Sequence, residues 1–242
     1  NSAEDDTSGY ALSKHLESRV RGLSQALDNV GTAKNVLNIG EGGYQAQMDV
    51  LMTIKNKTVQ SADSSLNDDQ RTAIRNQVFE LLTELDDISS QAKWNGDNIF
   101  GSTFSFHVGA DKDDKLVVTL SDSASNSVGG ATNVSSMGTT GGTYSIEDVS
   151  KSALAIGQID TAIQSLATVI QGIGDTIIRL GLKSDALAIT AQNTESTRSR
   201  YEDADMAQEQ IDFLKNQIVQ QTGISALSQA NSAPQIVLSL FR

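Results

Sequence analysis

The residue groups that could do chemistry in this sequence are few and widely separated. His15 and His107 lie in different predicted elements, and neither has the spacing of a metal site or a catalytic triad. The acidic run Asp111–Asp114 could hold calcium, but it lacks the glycine and the final glutamate of an EF-hand loop. We interpret this run as the solvated turn of a hairpin.

Two further motifs also fail as reactive sites. The carboxylates of Tyr201–Asp205 have no neighbour that would raise the pKa of one of them to that of a general acid. The cluster Gly40–Gly43 follows no strand and precedes no Lys-Ser/Thr, so it is not a phosphate loop. Without cysteine, the chain has no disulfides, thiolate catalysis or cysteine-bound zinc. We therefore predict no catalytic, cofactor or metal site and no enzyme.

Charge and composition restrict which partners and which kind of fold are expected. A net charge of −12 would repel nucleic acids and anionic membranes, and no apolar run approaches the roughly 18 residues of a membrane span, so neither is expected as a partner. Hydrophobic residues make up 38% of the chain but aromatic residues only 5%. This balance favours long periodic helices over a rounded core.

The first half of the chain predicts two helices and a hairpin. The first helix has a stripe interrupted by Lys34 and Glu41, and Gly40–Gly43 should loosen or bend it. Its apolar stripe comprises Leu16, Val20, Leu23, Leu27, Val30, Leu37, Tyr44, Met48 and Leu51.

A second helix is predicted over Asp68–Gln91, followed by an Asn95-Gly96 turn. Alternation then predicts a β-hairpin with one apolar face, formed by Phe104, Phe106, Val108, Leu116, Val118 and Leu120. The Ser/Thr/Gly-rich segment 121–143 cannot bury enough to order itself as a core, so we expect a surface-exposed loop or small flap.

The strongest periodicity lies in the second half. A helix from about Val149 to Asn193 has apolar residues on a three-four heptad ladder in which only Ser184 fails. This predicted coiled-coil seam comprises Ile156, Ile159, Ile163, Leu166, Ile170, Ile173, Ile177, Leu180 and Leu187. After a polar break at 193–207 a final helix is expected, interrupted or kinked at Pro234. Its apolar residues form a predicted assembly tail: Ile211, Leu214, Ile218, Leu227, Pro234, Val237, Leu238, Leu240 and Phe241.

These elements predict a mainly α fold, an elongated antiparallel coiled-coil helical bundle with a β-hairpin and a short variable flap. The expected divisions are rod helices at 1–93, the hairpin and flap at 94–148, a coiled-coil helix at 149–195, and a terminal helix with the assembly tail at 196–242. On the residues alone, such a chain is either a structural subunit that polymerises or an interaction module such as an adhesin or scaffold.

Three stretches resemble bacterial flagellin. The segments Asn1–Val30 and Ser196–Arg242 are similar to its N-terminal and C-terminal segments, and Gln91–Phe100 resembles the turn before its hairpin, with Trp94 where Phe is usual. The resemblance implies a filament subunit whose terminal helices form an inner tube and whose rod and hairpin form an outer tube. It also implies an extracellular flagellar location, reached by flagellar type III export without a cleaved secretory signal.

The resemblance further implies partners. These are other copies of the subunit, a cytosolic export chaperone at the C-terminal segment, and the hook-associated and cap proteins. Flagellins carry about 40–50 residues before a segment like Asn1–Gly9, so a chain beginning there should not polymerise alone and should leave its tail disordered. A hook–filament junction protein is the alternative within flagella. A surface adhesin, or a glycan acceptor at Asn133–Ser135, is the alternative outside them.

One family motif is degenerate. Many flagellins carry a Gln-Arg pair and a following Glu-Leu that contact the vertebrate Toll-like flagellin receptor. Aligned on "VQSA", these positions hold Met52, Thr53, Asn56 and Lys57, and a further contacting Glu falls at Gln77. Loss of the Arg removes a multi-donor cation from that interface, so the resemblance implies a poor receptor ligand.

Overall fold

A computed structural model describes residues 7–128, 134–142, 144–203 and 206–240, and the side chains of all of these except 206–209 and 231–240. Its helices are α1 (Thr7–Ser61), α2 (Asp68–Gln91), α3 (Val149–Glu202) and α4 (Met206–Leu240). Its strands are β1 (Lys93–Trp94), β2 (Asp97–Asn98), β3 (Thr103–His107) and β4 (Lys115–Thr119), and a short 3₁₀ turn covers Ser135–Gly138. The predicted mainly helical fold is confirmed.

The chain divides into two compact units. The first comprises Asn1–Ser18 and Asn193–Arg242, and the second comprises Arg19–Gln192. The second unit, the rod unit below, contains the hydrophobic core, to which α1, α2, α3 and the β-strand region all contribute.

The core face of α1 follows alternating steps of three and four residues along the rod unit. Part of this face is the apolar set that the sequence predicts: Leu23, Val30, Leu37, Tyr44 and Leu51. The rest carries mainly small or polar residues: Ala26, Ala33, Gly40, Gln47, Ile54, Thr58 and Ser61. Small side chains at this position let the facing helices approach closely.

Helices α1 and α3 run antiparallel in the rod unit. The Ser61 hydroxyl donates to that of Ser152 at 2.9 Å. Lys55 pairs with Asp160 at 2.5 Å. Further along, the Lys34 ammonium lies 3.8 Å from where a Cβ on Gly181 would stand. Residue numbers rise on one helix as they fall on the other, as the predicted antiparallel pairing requires.

Helix α2 packs on the same core through Ile74, Val78, Leu82 and Leu85. Its start is fixed by a capping box, in which the Asn67 side chain accepts from the Gln70 amide and the Gln70 side chain accepts from the Asn67 amide.

The loop before α2 is held by one buried cation. Arg71 is 5% exposed and donates to the carbonyl oxygens of Ser61, Asp63 and Leu66. It thereby satisfies carbonyl groups at the end of α1, which would otherwise lack partners.

The predicted turn and hairpin are confirmed. Asn95 and Gly96 have φ of 53° and 93°, the left-handed values of a two-residue β-turn, and they join β1 to β2. Strands β3 and β4 pair antiparallel with Phe104 opposite Val118 and Phe106 opposite Leu116. These four side chains lie on one face and pack against the core.

Helix α1 is continuous through Gly40–Gly43, and Leu120 and Phe100 approach it at Gly40 and Gly43. The expected loosening or bend there stays a prediction. The bounds of the other two long helices differ from the expected ones. Helix α3 continues past residue 195 to Glu202, where Arg198 forms ion pairs with Glu195 and Glu202. Helix α4 is not interrupted at Pro234 and extends to Leu240, whereas a kink at Pro234 and the disorder of an unpartnered tail stay predictions. Ala, Gln and Leu in this segment have good helix propensity.

The described part of the Ser/Thr/Gly-rich segment packs on α2, which corrects the expectation of a surface-exposed loop or flap. Val128, Val134 and Met137 are fully buried. The Ser125 amide and hydroxyl both donate to Asp86 of α2, at 2.6 and 2.9 Å. A Cβ on Gly138 would stand 2.9 Å from the Cα of Phe79, so the segment rests directly on α2. A few well-spaced apolar residues anchor it.

One helix has the length and composition of a membrane span, contrary to the sequence-based expectation. Within α3 there is an 18-residue window that is apolar and nearly free of charge. Only 22% of that window is buried inside the chain. The same helix carries the core residues Leu166, Ile173 and Leu180, so its length and composition also fit a coiled-coil helix.

Candidate assembly surface

The predicted seam of α3 divides into two classes of position. Ile159, Leu166, Ile173, Leu180 and Leu187 recur every seven residues and are at most 6% exposed. The alternate positions, Ile156, Ile163, Ile170 and Ile177, are only half-buried. Near the start of the helix, Ala155 and Ala162 are buried in place of Ile156 and Ile163. In that part of the helix the second row of the seam is displaced by one residue toward smaller side chains.

Helix α4 buries none of its apolar side chains in the part that the structure describes. Ile211, Leu214 and Ile218 are 55–61% exposed, and Leu227 is 67% exposed. Phe213, Val219 and Ile224 are exposed to a similar degree. For Pro234, Val237, Leu238 and Leu240 only the helical backbone is described, and Phe241 lies outside the described residues. This chain therefore supplies no cover for the described part of the helix.

The apolar residues of α4 lie on two sides of the helix. At about 100° per residue, Ile211, Leu214 and Ile218 fall within about 60° of one another. Phe213, Ile224 and Leu227 form a second group, centred roughly 140° away around the helix. A helix that is apolar on two sides is typically enclosed by neighbours rather than laid on one surface. Leu227 therefore belongs to a different face from the other three predicted assembly residues.

A polar network joins the start of α1 to the end of α3 within the first unit. The Ser13 hydroxyl, 2% exposed, donates to Glu202 at 2.7 Å, and Lys14 donates to the same carboxylate at 3.5 Å. Arg198 also pairs with Glu202. The hydrogen bond from Ser13, reinforced by Arg198 and Lys14, lowers the pKa of Glu202 below its usual value. Polar contacts hold these two helix segments together.

The degenerate receptor segment lies on the surface of the rod unit. Met52, Thr53 and Asn56 of α1 are exposed, Lys57 is half-buried, and Gln77 of α2 is exposed. The Thr53 hydroxyl donates to the Asp49 carbonyl oxygen at 2.9 Å, within its own helix.

The remaining polar motifs have structural surroundings. Asp111–Asp114 forms the β3–β4 turn, where the Asp114 carboxylate accepts from the Asp111 amide at 3.3 Å. His15 is exposed on α1, and the His107 backbone carbonyl accepts from Asn29 at 3.0 Å. Among the residues that the structure describes, no group of three or more His, Cys, Asp or Glu side chains could hold a metal ion.

Several core residues were not predicted because they are small or polar. Gln47 is fully buried on α1 and donates to the carbonyl oxygens of Leu85 and Ser123, each at 3.2 Å. Tyr44, which the sequence does predict on the apolar stripe, is buried beside it, and its hydroxyl donates to the Ser121 carbonyl oxygen at 2.6 Å. Burial raises the pKa of the Tyr44 hydroxyl, and Asp122 adds to the effect. A heptad that admits Ala, Gly and Gln would have identified the buried face.

Two family models match the sequence. Residues 1–105 match the bacterial flagellin N-terminal helical region, and residues 156–241 match the bacterial flagellin C-terminal helical region. The unmatched part between them contains β4 and the packed Ser/Thr/Gly-rich segment.

Individual relatives are similar over the whole chain. The flagellar filament 33 kDa core protein of Treponema phagedenis is 33% identical, with 100% of this chain and 87% of the relative covered. Bacillus subtilis flagellin is 25% identical, with 100% and 88% covered.

Two solved structures share the fold. The Bacillus cereus flagellin crystal structure has a TM-score of 0.55 at 18% identity and covers 66% of this chain and 88% of its own. A putative flagellar hook-associated protein from Vibrio parahaemolyticus has a TM-score of 0.68 at 14% identity and covers 82% and 100%.

Proposed function

Because this chain belongs to the bacterial flagellin family, we propose that it is a structural subunit that polymerises into the flagellar filament used for swimming. The observation that carries the proposal is the uncovered α4. Its described apolar side chains are 55–68% exposed, on two sides of the helix. Exposed apolar surface of this extent marks an interaction site, and two sides require neighbours in more than one direction.

Polymerisation supplies such neighbours. Each apolar side chain of this size contributes about 1.5–3 kcal/mol when it moves from water into a packed interface. Ordering the helix and its neighbours costs part of this, so assembly depends on several such residues acting together. Contacts that do not close on themselves generate filaments rather than rings.

Electron microscopy of the full-length polypeptide tests the proposal. Tubes of uniform diameter are expected, and their absence under conditions that polymerise a flagellin control would refute it. A variant with Ile218→Asp and Leu227→Asp, one change on each apolar side of α4, should form no tubes. Gln217→Asp with Gln221→Asp is the matched control, because these exposed polar residues lie between the two apolar sides, and it should polymerise normally.

Further partners follow from the same surface. We propose that a chaperone covers α4 before export, and that hook-associated and cap proteins meet the ends of the filament. The working location is then the flagellum, outside the cytoplasm, reached through the flagellar type III apparatus. A chaperone that binds α4 should lose affinity for the Ile218→Asp, Leu227→Asp variant and keep it for the glutamine control.

The alternatives have less support. Likeness to a hook-associated protein at 14% identity concerns the fold alone, whereas relatives up to 33% identical are filament proteins. An adhesin would need a recognition surface in the variable segment, which instead packs Val134 and Met137 into the core. The proposed glycan acceptor Asn133 lies outside the described residues. The family is structural, and we propose no catalytic role.

We also propose that the chain is a poor ligand for the Toll-like flagellin receptor. The exposed face of α1 presents Met52, Thr53 and Asn56, none of which is a cation. Restoring the family residues with Met52→Gln and Thr53→Arg should increase the signal in receptor-reporter cells. A control change to Arg at the exposed Gln45 should leave the signal low. A full-strength signal from the unmodified chain would contradict the proposal.

A further inference from the structure

A basic groove lies on the rod unit between β4 and α3. It encloses about 450 Å³ and has an apolar floor that includes Leu116 and Leu180. Lys115, Arg179 and Lys183 line it. Lys34 of α1 adds a fourth cation beside it, with its ammonium 3.8 Å from the position of a Cβ on Gly181.

The four cations of this basic groove have no acidic partner in the described part of the chain. None of them forms any of the ion pairs found there, and Asp175 and Asp185, the nearest acids along α3, come within 4.0 Å of none of them. The chain has 18 basic residues and 30 acidic ones, so a cluster of unpaired cations is opposite in sign to the net charge of the chain. Leu182, also lining the groove, is 67% exposed. Exposed apolar surface flanked by charge is typical of a protein interface.

An acidic stripe runs along the outer face of α2. Glu80, Glu84 and Asp87 are exposed and follow the i, i+4, i+7 spacing of one helix face. The sequence has no basic residue between Arg75 and Lys93, and Arg75 is already paired with Glu147 at 3.5 Å. The side chain of Phe79, next to the stripe, is 48% exposed. The stripe therefore carries negative charge, opposite in sign to that of the groove, and has exposed apolar surface beside it.

The two surfaces cannot pair within one chain. The stripe lies beside the part of α1 that contains Gln47, since the Gln47 side chain donates to the Leu85 carbonyl oxygen. The groove lies beside Lys34. These α1 positions are separated by roughly 20 Å at 1.5 Å per residue, far beyond the reach of a salt bridge.

We propose that the basic groove of one copy of this chain receives the acidic α2 stripe of a second copy. This inference rests on the proposed polymeric function and deepens it by naming a contact between rod units. The contact is heterologous, because each copy offers a groove to one neighbour and a stripe to another, and such contacts propagate. Complementary charge would fix the register of the contact and steer encounter.

Cysteine cross-linking tests the contact directly, because the chain has no cysteine of its own. Full-length Lys183→Cys and Glu84→Cys subunits, mixed and assembled into filaments, should form a disulfide-linked dimer on mild oxidation. Each variant alone should not, because a heterologous contact does not place identical residues opposite each other. Lys183→Cys mixed with Gln45→Cys is the matched control, with an exposed residue on α1. Equal cross-linking in the control mixture would overturn the proposal.

Charge reversal gives an independent measurement. Arg179→Glu with Lys183→Glu should raise the critical concentration for polymerisation at least about tenfold, and so should Glu80→Lys with Glu84→Lys. Carrying all four changes in one chain should restore the critical concentration to within about threefold of the original. Circular dichroism before assembly verifies that each variant is folded.

The outcomes separate the inference from the function on which it rests. If the unmodified polypeptide forms no filaments, the proposed function fails and the inference fails with it. If filaments form and both reversals leave the critical concentration unchanged, the inference alone is wrong. The Arg179→Glu, Lys183→Glu variant could instead polymerise normally but lose retention on a heparin column. The groove would then bind a polyanion, which also overturns the inference.

Discussion

Helices α3 and α4 are both long and rich in isoleucine and leucine, yet among their described side chains only those of α3 form an apolar face covered by the chain itself. In α3, Ile159, Leu166 and Ile173 are at most 4% exposed, whereas Ile211 and Leu214 of α4 are 58% and 55% exposed. The difference lies in arrangement rather than in composition. The seam residues of α3 repeat every seven positions and form one stripe that the chain covers, although Ile178, Leu182 and Ile189 of the same helix stay exposed. The described apolar residues of α4 lie on two sides, and the chain covers neither. A single stripe can be satisfied inside one chain, while two sides require several neighbours.

The largest expected effect comes from truncating one leucine in each helix, which tests directly whether α3 is covered and α4 is not. Leu166→Ala should lower the free energy of unfolding by about 3 kcal/mol, because it leaves a cavity in a fully buried seam. Leu214→Ala should change it by less than about 0.5 kcal/mol, because that side chain has no cover to lose. Urea denaturation of the unassembled chain measures both. Comparable losses in the two variants would show that α4 is packed within the chain.

The buried cation at the end of α1 should give the next largest effect. Arg71→Met should cost about 2–3 kcal/mol, because three carbonyl oxygens lose their donor. Arg200→Met, at an exposed position on α3, should change the free energy of unfolding by less than about 0.5 kcal/mol. Urea denaturation again compares the pair. An equal, small cost at both positions would mean that water replaces Arg71 in capping α1.

Adjacent glycines in α1 sharpen the comparison between covered and open helix surface. A Cβ on Gly43 would lie 2.7 Å from Cζ of Phe100, whereas one on Gly42 meets nothing within 4 Å. Gly42→Ala should therefore stabilise by up to about 1 kcal/mol through helix propensity. Gly43→Ala should destabilise by about 1 kcal/mol, because the buried ring must move. Thermal melting that shows the two alanines to be equivalent would refute the close packing at Gly43.

The capping box of α2 predicts a smaller change. Asn67→Ala removes the acceptor for the Gln70 amide, which is 2.8 Å from the Asn67 carboxamide oxygen, and should cost about 1 kcal/mol. Asn67→Asp keeps an acceptor at the N-cap and should retain most of the stability. A melting temperature for the aspartate variant as low as that for the alanine variant would argue against capping.

The smallest expected effect is the pH response of the Ser13–Glu202 network. Because the pKa of Glu202 is lowered in the folded state, its contribution is present above the usual carboxyl pKa and is lost as pH falls through the folded pKa. Melting temperatures from about pH 6 to about pH 3 should therefore fall less steeply in Ser13→Ala than in the unmodified chain. NMR titration of Glu202 should show its pKa moving up toward 4.5 in that variant. An unchanged Glu202 titration would contradict the assigned cause.

The sequence predicted the elements better than their packing. Alternating Phe104 and Phe106 indicated the hairpin, and the isoleucine ladder indicated α3, because both patterns consist of large apolar residues. The buried row of α1 that contains Ala26, Ala33 and Gly40 was displaced by one residue, since Leu27 is more hydrophobic than Ala26. Burial in a close helix pair depends on backbone separation, which hydrophobicity does not encode.

The apolar surface of α4 could be predicted from the sequence, whereas the basic groove could not. An apolar terminal helix on an acidic chain indicated the need for a partner. The basic groove was not anticipated, because Lys34, Lys115 and Arg179 come from three elements that only the folded rod unit brings together. The packed state of the Ser/Thr/Gly-rich segment was also missed, since it depends on Asp86 of α2 binding Ser125.

The antiparallel pairing of α1 with α3 also determines when the chain can fold. Ser61 meets Ser152 across 91 residues, and Ser13 meets Glu202 across 189. A growing polypeptide can therefore complete no part of the α1–α3 seam until well over half of it has been synthesised. Contacts of such high sequence separation form slowly, and the shortest loop, near Ser61, closes at the lowest entropic cost. Pairing should begin there and proceed outward, so that the first residues to be synthesised are among the last to find their partners.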